Sequence, residues 1–144
     1  MAYGKKQMLT ATFAILAGAA FPALHPGVAL ADDLPPGVTI AAKDGFAPPQ
    51  GLGAFQAMTF VIDIAPGAGF PAHSHPGRSQ VMIVKGDLTE DRPGGQKKVY
   101  HAGDAFMEEP DQVHSVSNKG SEAVRLVWTL LLPDGKQPII PHKD

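Results

Sequence analysis

The sequence predicts an all-β domain, a sandwich or barrel, on three observations. Short apolar runs recur about every ten residues, bounded by Gly, Pro, Asn or Asp. After residue 31 no stretch sustains the three-to-four residue apolar period of an amphipathic helix. Glycine and proline number 16 and 14 in 144 residues and fall between the apolar runs as strand punctuation would. The length leaves room for one domain. With 44% apolar and 18% charged residues the chain reads as a soluble globule, not a disordered tail.

The first 31 residues have a different character. Lys5 and Lys6 precede an uncharged run from Met8 to about Leu24, and Ala29-Leu-Ala31 sets a small-x-small triplet before Asp32. A basic, then apolar, then small-residue order predicts a secretory signal peptide over 1–31, cleaved after Ala31 to leave 32–144 as a single domain. Gly18 and Pro22 weaken the alternative of a spanning helix. The expectation is a periplasmic or secreted protein, free of the membrane after cleavage. No cysteine is present, which excludes disulfides and thiolate zinc sites. Removing two lysines and no acid leaves 12 − 2 = 10 basic against 14 acidic residues, a net charge of −4. Without a basic patch, nucleic acid and anionic lipid are poor partners, and a small molecule remains.

Element by element, Val38-Thr-Ile40 reads as a first short strand, and residues 43–53 as a turn-rich loop. A long extended segment follows from Phe55 to Ile64, apolar on both faces. Val81 to Val84 is a short buried strand, and Lys85-Gly-Asp87 turns into Leu88-Thr-Glu90. Residues 91–98 form a polar loop before Val99-Tyr100. Ala105 to Glu108, Gln112 to Ser117 and the very apolar Ala123 to Leu132 complete about eight strands, and residues 137–144 are a Pro-containing tail.

The chemistry concentrates in residues 67–86. His73 and His75 are one residue apart, so in an extended segment their side chains point to one side. Neutral imidazole is the commonest metal-ligating side chain, and two on one face make half of a coordination sphere. Gln80 and, downstream, His114 are further candidates. Taken alone, an H-x-H pair in a Gly/Pro-rich turn is more often a solvated loop.

The spacing adds to this. Gly67, five residues, His73-x-His75, four residues, Gln80, five residues and Gly86 resemble the first signature of the cupin family. Gly103 to Asn118 resembles the second, with Glu109 and Asp111 standing where the family usually has proline and glycine, and His114 and Asn118 in place. The resemblance runs from about residue 38 to 132. It implies a jelly-roll β-barrel, the double-stranded β-helix, with a divalent metal held at its mouth by His73, His75, Gln80 and His114. A three-histidine, one-glutamine set is similar to that of pectin-degradation cupins acting on ketouronates and of some polyketide cyclases. Those uronate enzymes carry an aspartate on the strand after the last ligand, and Val127-Trp-Thr-Leu-Leu131 contains none.

Glutamine in place of the usual glutamate makes the expected site one negative charge poorer, which tilts it from oxygen activation toward substrate polarisation by a redox-silent metal. Zinc is the first expectation, with manganese, nickel, iron and copper open. The implied function is an exported Lewis-acid metalloenzyme of isomerase or lyase type acting on a small oxygen-rich metabolite. A dioxygenase and a non-catalytic ligand-binding or metal-sensing module are the alternatives. Glu108 and Tyr100 are the acid/base candidates, each with a plainer role as a rim residue or a core ring. Small cupins commonly pair, so a homodimer is expected.

Overall fold

The computed structural model describes residues 34–46 and 53–143. The signal peptide read over 1–31 lies outside the described residues.

Ten strands are present among the described residues: β1 Val38–Phe46, β2 Phe55–Ile64, β3 Gly69–Ser74, β4 Ser79–Lys85, β5 Leu88–Arg92, β6 Gln96–Tyr100, β7 Ala105–Glu108, β8 His114–Ser117, β9 Val124–Pro133 and β10 Ile140–Pro141. They form two antiparallel five-stranded sheets, ordered β1-β2-β9-β4-β7 and β10-β3-β8-β5-β6. The chain crosses repeatedly from one sheet to the other, so strands distant in sequence become neighbours. This is the jelly roll of an all-β barrel.

The longest ladder pairs β2 with β9 over ten residues, Phe55↔Pro133 to Ile64↔Val124. On both strands the inward positions are apolar and alternate with less buried ones. Phe60 and Trp128 face each other directly in that ladder, and their rings stack with centroids 5.2 Å apart. Phe60, Ile64, Val124 and Leu130 are fully buried, and each such side chain contributes roughly 1.5–3 kcal/mol. They join Val81, Ile83, Leu88, Phe106 and Val116 in one core between the sheets.

Four expectations about elements are corrected. β1 continues past Ile40 to Phe46, because a bulge between Ile40 and Ala42 restores pairing with β2 along residues expected to be loop. The expected polar loop over 91–98 contains the end of β5 and the start of β6, paired as Asp91↔Lys97 with an ion pair between them at 2.7 Å. Met82 and Val84 on β4 are half exposed, so that strand is buried on one face only. The tail carries β10, which pairs with β3.

Two backbone positions hold the turns next to the site. A Cβ at Gly77 would lie 1.8 Å from the Leu131 carbonyl oxygen, so only glycine lets the β3–β4 connection pass this close to β9. Asp111 has φ of 60°, the left-handed region that glycine adopts most readily.

Candidate metal centre

His73 on β3 and His114 on β8 are directly opposed in the ladder of the second sheet. His75 lies one residue past the end of β3, where its carbonyl accepts the Asp111 N–H at 2.8 Å. All three imidazoles are buried and turned inward. Their ligand atoms lie within 4.8 Å of one another. Ring centroids are 4.9 Å apart for His73–His75, 4.4 Å for His73–His114 and 5.2 Å for His75–His114.

The outward nitrogen of each ring is tied to a carbonyl. His73 Nδ1–H donates to Pro71 O at 2.7 Å, His75 Nδ1–H to Pro138 O at 2.8 Å, and His114 Nδ1–H to Gln112 O at 3.1 Å. A carbonyl can only accept, so each Nδ1 carries the proton and a neutral ring presents its Nε2 lone pair to the interior. Such outer hydrogen bonds are the usual way a ligating histidine is oriented.

Glu108 completes the cluster. It ends β7 opposite Ser79 of β4, and both side chains are buried. Its Oε1 lies 3.1 Å from His114 Nε2 and its Oε2 3.4 Å from His75 Nε2. Oε2 also accepts the Ser79 hydroxyl and the Trp128 Nε1–H, the latter at 3.1 Å. Burial alone would raise this acid, but the His114 hydrogen bond and the His75 and His114 charges outweigh it, with Ser79 adding to them, and hold it down at about 2. Burial pushes His73 down to about 4, helped by the neighbouring His114 and His75, and burial also lowers His75. His114 moves the other way: burial opposes its protonation, and the bond to Glu108 overcomes that and raises it.

Three Nε2 atoms and one carboxylate, all acceptors when the rings are neutral, repel one another unless a proton or a cation sits among them. The buried His114 Nε2 faces a Glu108 oxygen 3.1 Å away: the protonated ring bonds that carboxylate, whereas the neutral ring, with its proton on Nδ1, meets it lone pair to lone pair. The donor set therefore fits a divalent cation, with borderline imidazole nitrogen and carboxylate oxygen as its chemistry.

Gln80 is not part of this set. It lies on the exposed outer face of β4, in phase with Met82 and Val84 and opposite Met107, while Ser79, Val81 and Ile83 face inward. The expectation of Gln80 as the oxygen ligand is corrected by that one-residue phase. Glu108, expected only as an acid/base residue, is the oxygen donor that stands at the imidazoles. Its signal in sequence is the period of two from Phe106, which puts Glu108 on the core side of β7.

Tyr100 is buried but committed elsewhere. Its hydroxyl donates to Glu90 Oε2 at 3.1 Å, its ring stacks on Phe106 at 3.8 Å, and it does not line the cavity that His73 and His75 face. Burial and the Glu90 charge push its phenol up to about 12. His101 pairs with Asp87 at 2.9 Å on the surface, and Arg78 with Glu109 at 2.6 Å. Thr129 bonds Thr59 at 3.2 Å on the side of β9 away from Trp128.

His73, His75 and Glu108 look onto a narrow interior cavity otherwise walled by apolar side chains, among them Phe70, Leu126 and Trp128. His73 also borders an open mouth of about 410 Å³ whose walls include Leu34, Phe70, Pro71, Pro138 and Ile139, with no lysine, arginine, aspartate or glutamate among the described residues that line it.

A family model described as a cupin domain matches residues 60–130. No significant relative is found among curated proteins. The fold is similar to that of a conserved double-stranded β-helix protein from Klebsiella pneumoniae subsp. pneumoniae MGH 78578, with TM-score 0.55 and 19% identity over 80% of this chain and 91% of the other. It is also similar to the polyketide cyclase RemF from Streptomyces resistomycificus, with TM-score 0.56 and 15% identity over 76% and 74%. An oxalate oxidase in complex with the substrate analogue glycolate gives TM-score 0.51 and 24% identity over 58% of this chain and 45% of that one.

Proposed function

Given that this chain belongs to the cupin superfamily, we propose that it is a metal-dependent enzyme in which His73, His75, His114 and Glu108 hold one divalent cation. The observation that carries the proposal is the fixed tautomer of all three rings, which leaves three lone pairs and a carboxylate turned toward one another. When bound, the cation supplies Lewis acidity to an oxygen of the ligand.

The chain's own residues define the rest. Glu108 is held ionised, and its Oε2 is occupied by Ser79 and Trp128, so it serves as donor and charge partner better than as a general base. His73, which borders both cavity and mouth, marks the side from which a ligand approaches. The uncharged mouth favours a small molecule with an apolar body and an oxygen-bearing head that reaches the centre. Isomerisation or elimination of such a molecule is the reaction class proposed. Zinc is the first choice of ion for a site of three imidazoles and a carboxylate, with manganese, nickel, iron and copper as competitors.

A second reading, dioxygenase chemistry, is favoured by Glu108. A site without a carboxylate disfavours oxygen activation, and Glu108 supplies one. Proteins named as a polyketide cyclase and as an oxalate oxidase share the fold, so the fold by itself does not choose between the readings. Reconstitution with each metal, followed by a turnover screen with an oxygen electrode, separates the readings. Product without oxygen uptake supports Lewis-acid chemistry, and uptake with iron, copper or manganese supports a dioxygenase. Tight metal and ligand binding without turnover under either condition overturns both in favour of a binding module. We also propose export through the 1–31 segment and a homodimer, the latter supported by half-exposed Met82, Val84, Met107 and Leu131 on the outer face of the first sheet. Light scattering on residues 32–144 tests the dimer, and N-terminal sequencing of the protein recovered outside the cytoplasm tests export and cleavage after Ala31.

A further inference from the structure

Of the three imidazoles, two donate their outer hydrogen bond to a carbonyl two residues away, Pro71 for His73 and Gln112 for His114. Those partners come with the strands. His75 differs, because its partner Pro138 lies 63 residues away in the C-terminal segment. The orientation of this one ring therefore depends on where that segment docks.

Several contacts fix the docking. Ile140 and Pro141 pair with Ser74 and His73, which places β10 alongside the strand that carries the ligands. The His142 N–H donates to Ala72 O at 2.9 Å, and the His142 ring is bonded to the Ser74 hydroxyl at 2.9 Å. Pro138 is fully buried and Ile139 packs against the core. Yet β10 is only two residues long, at the edge of its sheet and exposed. An element of that size holds by few contacts and opens locally at small cost.

Resting on the metal-centre reading above, we propose that residues 137–142 form a positioning strap: the Pro138 carbonyl sets the His75 tautomer and ring direction, so strap docking and cation affinity are coupled. With the strap docked, His75 keeps its proton on Nδ1 and offers Nε2 to the ion. With the strap away, the ring loses its acceptor, becomes free to turn, and is exposed to water where Pro138 had covered it. By linkage, a bound cation must tighten the strap to the extent that the strap tightens the cation. Pro138 is the positioning residue, and it acts through its main chain. Pro138 and Ile139 also wall the mouth, so the same segment borders the approach to His73.

The test uses full-length variants. Ile139→Asp places a charge against the apolar core and expels the strap, whereas Ile139→Leu keeps it docked. Zinc affinity, measured by competition with a chromophoric chelator, is expected to fall about 10- to 100-fold in Ile139→Asp and to stay within about 2-fold in Ile139→Leu. Nitrogen-15 imidazole spectra of the metal-free protein give a readout that general loss of stability does not move. His75 should change from the Nδ1–H form to a tautomer mixture in Ile139→Asp, while His73 and His114 keep their patterns. Should Ile139→Asp fail to fold, the Ser74→Ala/His142→Ala pair loosens the strap more gently and is expected to weaken zinc about 3- to 10-fold. Unchanged affinity together with an unchanged His75 tautomer in a folded strap variant overturns the proposal. If the unaltered protein binds no zinc, the metal reading fails instead, and the His75 tautomer still reports whether the strap positions the ring.

Discussion

Glu90 and Glu108 are both buried inside the barrel, on β5 of one sheet and β7 of the other. Glu90 has what a buried carboxylate needs: the Arg92 guanidinium donates Nε–H to one oxygen at 2.8 Å and Tyr100 donates its hydroxyl to the other at 3.1 Å. Glu108 has two neutral donors on one oxygen, and its other oxygen faces His114 Nε2. The first acid is balanced by the protein alone. The second is balanced only when a proton or a cation is added, and this difference separates a structural acid from a functional one.

The contrast can be broken most forcefully at Glu90. Replacing it by alanine strands the Arg92 charge and the Tyr100 hydroxyl, and we expect a loss of about 3 kcal/mol in urea unfolding with zinc affinity almost unchanged. A large fall in zinc affinity without loss of stability would reverse the roles assigned to the two acids. Next in size is the pH dependence of the metal-free protein. His73 is held below its unfolded value of 6.5, at about 4, so the unfolded chain binds the extra proton first as pH falls. Stability should therefore drop by about 3 kcal/mol between pH 6.5 and 4. His75 adds in the same sense, and His73→Gln should flatten part of the slope. His114, raised, contributes stability that is complete below 6.5 and is lost only as pH rises through its folded value, so it does not mask this window. Glu108, lowered to about 2, matters only below its unfolded value near 4.5.

A smaller and more pointed effect belongs to Glu108→Gln. It keeps the shape and the Ser79 and Trp128 neighbours but removes the charge, and chelator competition should show zinc binding weakened by about 10- to 100-fold. Smallest of all is Gln80→Glu. On the exposed face of β4 it should change stability by less than about 0.5 kcal/mol and leave metal preference as it was. A shift toward iron or manganese in that variant would place Gln80 back at the metal.

Much of this was legible in sequence, and the failures have definite causes. The H-x-H pair and His114 carry their own directional information, because period-two alternation fixes which side each faces and His73 opposes His114 in the ladder. Gln80 failed for the same reason in reverse. Val81-Met-Ile-Val84 is apolar on both faces, so composition does not say which alternate set is buried, and one residue of phase exchanges Gln80 for Ser79. Glu108 could be placed on the core side of β7 by its phase with Phe106. Its approach to His114 and His75 depends on the two sheets facing each other, which local pattern does not encode. β10 and the Pro138 contact were out of reach for a related reason: a two-residue strand has no period, and its meaning comes from the partner strand 60 or more residues upstream. Of the acid/base candidates, Tyr100 was better described by its plainer reading as a core ring, with Glu90 rather than water at its hydroxyl.

The most direct test is the metal content of the purified protein beside that of the His75→Ala variant, both measured by elemental analysis after dialysis and confirmed folded by circular dichroism. Three imidazoles and Glu108 gathered on one cation predict close to one equivalent in the unaltered protein and nearly none in the variant. One full equivalent retained by a folded His75→Ala protein would contradict the assignment.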